Sequence, residues 1–140
     1  MAGWFRCRAD SPKIPFYRRK YDIIALQETW TDVPFILNVY HAFELAALPG
    51  MGPGRLKGGL GILISTQLKV KCTEVAPLKP FAMAVHLSLE RGFILFINVY
   101  LPPGRKKTEV KEIWVKLERY VSFLVIEYPK ARIWQCWQET

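Results

Sequence analysis

Between Leu60 and Leu101, four apolar stretches of strand length follow one another with little between them: "LGILIS", "KVKCTEV", "FAMAVHLSL" and "GFILFINVYL", joined by "STQ", "APLKP" and "ERG". A parallel crossover needs a dozen residues or more, so connections this short make the strands antiparallel neighbours in a meander. Within the third, Met83, Val85, Leu87 and Leu89 alternate with Ala84, His86 and Ser88, the period-two pattern of a sheet with one buried face. Upstream, "DIIALQ" is a continuous apolar run without alternation, which predicts a strand covered on both faces and hence a layered α/β architecture. "NVYHAFEL" predicts a further short strand, and "PGMGPGRLKGG" a turn-dense loop without regular structure.

One long helix is predicted at 108–128. Thr108 stands as its cap, Glu109 and Glu112 lie in its first turn, and Val110, Ile113, Trp114, Leu117, Val121, Leu124 and Val125 recur at helical spacing before Pro129 stops it. Its other face carries Lys111, Lys116, Glu118 and Arg119, the pattern of a solvated surface. A shorter helix fits between Pro15 and Lys20, and "ARIWQCWQET" opens as one more strand. Neither an internal repeat nor a low-complexity segment interrupts the chain.

The 140 residues, 51% hydrophobic and 23% charged, suffice for one domain with its own core and exclude a disordered chain. Twenty Lys and Arg give a formal net charge of +8, and the two halves of the chain carry +4 each, so no detachable basic tail accounts for it. A positive field spread over a domain concentrates polyanions, which puts nucleic acid first among partners and an anionic membrane surface second. Cys7, Cys72 and Cys136 have no metal-knuckle spacing and read as reduced structural thiols of an intracellular protein. The absence of an apolar leader and of any bilayer-length apolar run agrees with a soluble protein and no membrane partner.

Several chemistries fail on context. The glycine-rich loop lacks the Lys-Ser/Thr ending of a phosphate loop and precedes a strand, not a helix. His41 and His86 have neither Cys nor carboxylate at ligand spacing and read as surface or structural residues. No Gly-x-Ser-x-Gly elbow is present. What remains is two strand ends. "YDIIALQETW" delivers Glu28 at its tip, and "INVYLPPGRKK" delivers Tyr100, after which Pro102 and Pro103 stop the strand and Arg105, Lys106 and Lys107 follow. Glu is a hard oxygen ligand suited to magnesium, and a Tyr hydroxyl donates to a phosphoryl oxygen, so together they suit a site for a divalent cation and a phosphate. Arg55 and Lys57, in the glycine-rich loop, are of the type that touches a phosphate backbone.

In order, "DIIALQETW", "GRLKGGLGILIS" and "FINVYLPPG" resemble the endonuclease/exonuclease/phosphatase superfamily, and within it the endonuclease domain of non-LTR (LINE-type) retrotransposons. The resemblance covers roughly residues 21–134 and makes 1–20 a divergent N-terminal segment before a truncated domain at 21–140. It implies a four-layer α/β sandwich, of which this chain carries a part: a mixed, largely antiparallel sheet with the helix at 108–128, the second sheet missing and an apolar face left bare. It also implies Mg²⁺-dependent nicking of DNA, with Glu28 as the magnesium ligand, Tyr100 as the active-site tyrosine and Asn98 as part of the same motif.

Departures from the family pattern are equally specific. The first strand of the family ends in a metal-binding Asn, whereas "MAGWFRCRADSP" contains none. The strand after the long helix ordinarily runs into Gly-Asp-Phe-Asn, where in register this chain has Gln138 for the Asp and Thr140 for the Asn, and it ends before the family's Ser/Asp and His segment. Three readings stay open: an enzyme remnant of retrotransposon origin with little activity as a lone chain, in the nucleus or cytoplasm; a non-catalytic module that binds DNA, or RNA, through Arg55, Lys57, Arg105, Lys106 and Lys107; and a small α/β interaction module whose exposed sheet face docks a protein partner.

Overall fold

The structure, a computed structural model, describes residues 3–6, 22–34, 38–49, 56–101 and 104–137. In chain order its elements are β1 (Gly3–Arg6), β2 (Ile23–Gln27), β3 (Tyr40–Leu45), β4 (Leu48–Pro49), β5 (Leu56–Lys57), β6 (Leu60–Ser65), β7 (Lys71–Leu78), β8 (Ala82–Leu89), β9 (Gly92–Val99), α1 (Lys107–Glu127) and β10 (Ala131–Trp137). The class is α/β, as the sequence implies. The meander is present, with β7 antiparallel to β8 and β8 antiparallel to β9. The chain then crosses over through α1, and β10 returns parallel to β9. β1 lies parallel to β10 at the edge of this sheet, whose order is β1, β10, β9, β8, β7, so the segment before residue 21 contributes a strand to the domain.

A second sheet is not missing. β2, β6 and β3 pair antiparallel in that order and pack on one face of the large sheet. Ala25, Leu45, Leu60, Ile62 and Ile64 from the small sheet meet Met83, Val85, Leu87, Ile94 and Phe96 from the large one in a single buried cluster. The face expected to be bare is therefore covered. The prediction failed because strands read one by one do not reveal that β2, β6 and β3 pair among themselves and not with the meander. β6, the centre of the small sheet, is buried throughout, as its unalternating "LGILIS" requires.

The opposite face of the large sheet is covered by α1. Ile113, Leu117 and Leu124 pack on Val75, Ala82, Ala84, Leu95, Ile97 and Val99. Burial of three such side chains, each worth about 1.5–3 kcal/mol, holds a helix whose start is otherwise weak. The residue at the cap is Lys106, in an extended conformation and without a side-chain cap hydrogen bond, so Thr108 is not the cap: it falls inside the first turn. The outward side of α1 is less polar than expected, with Phe123 60% and Ile126 78% exposed.

Two smaller expectations also change. Part of the glycine-rich stretch is regular, since Leu56–Lys57 pairs antiparallel with Leu48–Pro49. Cys72 is a free thiol, but Cys136, fully buried, is disulfide-bonded and not reduced. The short helix expected between Pro15 and Lys20 lies outside the described residues. Among the described residues no helix is long and apolar enough to cross a membrane.

Candidate functional site

Alternation along β9 decides what reaches the space between the sheets. Ile94 and Phe96 face the small sheet, and at the same parity come Asn98 and Tyr100. Along β2 the corresponding positions are Ile23, Ala25 and Gln27, so the polar ends of both strands converge where the two sheets meet at one edge.

Asn98 is fully buried and its amide is wholly engaged. Its Nδ2 donates to the carbonyls of Leu26 at 2.9 Å and Gly61 at 3.0 Å, and its Oδ1 accepts from Gln27 Nε2 at 3.0 Å. Gln27 Nε2 also donates to the Val99 carbonyl at 2.7 Å. This buried network ties the end of β9 to β2 and β6, and both hydrogens and the oxygen of the Asn98 amide have partners, as a low-dielectric site demands. Asn98 is accordingly a positioning residue whose amide has no hydrogen left to offer a ligand. Gln27, which sequence reasoning left without a role, is its counterpart.

One residue beyond the network, Tyr100 donates its hydroxyl hydrogen to Glu28 Oε1 at 2.5 Å. Burial pushes the Tyr100 phenol well above the ordinary tyrosine range, the hydrogen bond to Glu28 and the Glu28 charge push it further, and Arg105 opposes them. The pair therefore carries a neutral tyrosine as donor beside a carboxylate with a second oxygen to spare.

The backbone around Glu28 is held in an unusual conformation. Glu28 and Trp30 both have φ of +52°, and the amides of Thr29 and Trp30 donate to the carbonyls of Gly59 at 3.3 Å and Gly58 at 2.9 Å. Gly59, at φ +91°, permits this approach: a Cβ there would collide with Thr29 Oγ1. Gly58 lies beside the Tyr100 ring, its Cβ position 3.9 Å from Tyr100 Cε1. The glycine pair so fixes the carboxylate-bearing tip of β2 against the tyrosine.

The basic residues divide. Arg105 is seated with its guanidinium 5.7 Å from the centroid of the Phe81 ring, and the Phe81 carbonyl accepts from the Tyr100 amide at 2.8 Å. Arg105 is also close enough to Tyr100 for its charge to act on the phenol, whereas Lys57 is exposed and adjoins Gly58 in sequence. Lys106 and Lys107 are exposed at the start of α1, and no contact ties them to Glu28 or Tyr100 among the described residues. Arg55, Gln138 and Thr140 lie outside the described residues. β10 reaches the same edge of the sheet, Trp137 pairing with Val99.

Beside the tip of β2 lies a groove of about 230 Å³ lined by Thr29, Thr31, Asp32, Val33, Glu44 and Leu45, among others. Among the described residues no group of three His, Cys, Asp or Glu side chains could hold a metal ion by itself. Glu28 offers one carboxylate, which fits magnesium only in the manner in which that ion binds phosphates, through one or two carboxylates with phosphate oxygens and water completing the octahedron. No protein-family model matches the chain, and no curated protein matches it.

Proposed function

We propose that the domain is a remnant of a magnesium-dependent phosphodiesterase of the endonuclease/exonuclease/phosphatase type, which binds nucleic acid by its phosphate and has little or no turnover as a lone chain. The observation that carries this reading is the pairing of Glu28 with Tyr100, 72 residues apart in sequence, at one edge of two facing sheets. Glu28 would hold magnesium together with a phosphate, Tyr100 would turn its one hydroxyl hydrogen from Glu28 to a phosphoryl oxygen, and Arg105 and Lys57 would offset the charge of the strand. The metal, when bound, supplies charge neutralisation on the phosphate oxygens.

Weak turnover follows from the substitutions. Gln138 and Thr140 stand where a nuclease of this type carries Asp and Asn, and an amide and a hydroxyl do not orient and deprotonate a water as a carboxylate does. Groups of this kind act as a unit, so losing one costs orders of magnitude in rate.

The test is nicking of supercoiled plasmid with Mg²⁺ by the parent, by Glu28→Ala and with EDTA, beside a gel shift across a salt series. The expected result is no efficient nicking and weak binding that falls steeply with salt. Robust nicking that is lost in both controls overturns the inactivity, and binding that is absent or insensitive to salt overturns the nucleic-acid reading. A protein-interaction role is a second reading: with the sheet face covered, it is the outward side of α1, where Phe123 and Ile126 are exposed, that would serve it.

A further inference from the structure

Trp30 stands two residues beyond Glu28 and is 58% exposed. A large apolar ring left in water is unfavourable, and a bulky residue at positive φ is a conformation that the surrounding structure has to impose. What imposes it is visible: the amides of Thr29 and Trp30 are both bonded to the Gly58–Gly59 segment, and the Thr29 hydroxyl packs against Gly59. The indole is thus carried on a fixed base. A rigid aromatic face beside a phosphate-binding pair is what stacks on a nucleobase, an interaction open to any base because every base has a π face.

Charge sorts the two sides of this residue. The charge of Arg105 acts on Tyr100, so a phosphate is favoured on that side. The groove that adjoins Trp30 in sequence on both sides, through Thr29 and Thr31, includes Asp32, whose carboxylate repels a phosphate and accepts from the amino group of a base.

We propose that Trp30 stacks on an unpaired base of the nucleic acid whose phosphate lies at Glu28 and Tyr100. The proposal rests on the nucleic-acid reading above and adds to it the form of the ligand: a strand with an accessible base, not a fully stacked duplex.

Fluorescence anisotropy with a labelled single-stranded DNA oligonucleotide tests it, using the parent, Trp30→Ala, Trp30→Phe and Trp30→Gly, and a matched oligonucleotide of abasic sites. Trp30→Ala is expected to weaken binding about tenfold and Trp30→Phe about twofold or less. The salt slope stays unchanged, since no phosphate contact is removed. On the abasic strand the parent and Trp30→Ala bind alike. Trp30→Gly, which relieves the positive φ, melts higher than the parent yet binds as weakly as Trp30→Ala, a divergence that a purely structural role does not produce. Equal binding of the intact strand by parent and Trp30→Ala, with salt dependence retained, overturns the stacking and leaves the phosphate reading standing. Loss of equal size on the abasic strand overturns it as well. If the parent binds neither strand, the nucleic-acid reading falls and takes this proposal with it.

Discussion

Tyr100 and Glu28 are joined by a hydrogen bond of 2.5 Å that links the tips of β9 and β2 across the gap between the sheets. Since burial, the Glu28 hydrogen bond and the Glu28 charge all raise Tyr100, with Arg105 opposing, the folded-state pKa lies above the ordinary tyrosine value of 10.0. Stability from this group is therefore complete below pH 10.0 and is lost as pH rises above it toward the folded value. Glu28→Gln should lower the Tyr100 titration part of the way, burial remaining, and Arg105→Ala should raise it. Tyrosinate absorbance against pH, with Tyr100→Phe as the blank, reads both. An unchanged curve in Glu28→Gln would show that the pair is not formed.

The Asn98 amide satisfies two backbone carbonyls and accepts from Gln27 in a fully buried place. Leaving a buried polar group unpaired costs about 1–3 kcal/mol, so Asn98→Leu should lose about 3 kcal/mol or more in urea unfolding. Asn98→Asp, isosteric but without donors, should lose a comparable amount at neutral pH. A loss below about 1 kcal/mol in both would mean that the network is replaced by water.

Gly59→Ala introduces a methyl where Thr29 Oγ1 already stands, at a φ of +91°. Positive φ alone destabilises an alanine by about 1 kcal/mol or more, and the clash adds to it. The variant should unfold at lower denaturant, and Thr29→Ala in the same chain should recover the clash but not the backbone strain.

Tyr120 donates to the Ala76 carbonyl at 2.9 Å and so ties α1 to β7. Burial, with a smaller contribution from Tyr128, raises its pKa from 10.0 to about 12. Its contribution is present below pH 10.0 and fades toward about 12, so Tyr120→Phe should flatten the alkaline fall in stability. At neutral pH the same change should cost about 1 kcal/mol, measured by thermal or urea unfolding.

Lys106 caps α1 with a side chain that makes no cap hydrogen bond. Lys106→Ser supplies an acceptor and removes a positive charge from the positive end of the helix, so it should stabilise the domain by about 0.5–2 kcal/mol. If Lys106 also meets phosphate, the variant should bind DNA more weakly with a smaller salt slope. A stabilised variant with unchanged binding would restrict the phosphate contacts to Lys57 and Arg105.

The elements legible in the sequence were those whose pattern is local. The antiparallel meander follows from apolar runs with short connections, and α1 from the recurrence of Ile113, Leu117 and Leu124. Glu28 and Tyr100 were legible because each ends an apolar run. The rest depends on contacts between distant segments. β1 is four residues of "GWFR" with no periodicity, and it is a strand only because β10 offers it an edge. The inward aim of Asn98 was implicit in its parity with Ile94 and Phe96, but its partners, Leu26 and Gly61, belong to another sheet. Nothing near Arg105 in sequence indicates that it would lie over Phe81.

The pairing of Gly3 with Trp134, and of the residues that follow each, closes the longest loop in the large sheet. β7, β8 and β9 pair with their neighbours in sequence, whereas β1 pairs with a strand more than a hundred residues further along the chain. Closing so long a loop precedes any reward from the contacts it permits. β1 therefore carries the highest entropic cost of any strand in this sheet, and what it gains is closure of the β10 edge, which would otherwise be open to any other extended segment that reaches it.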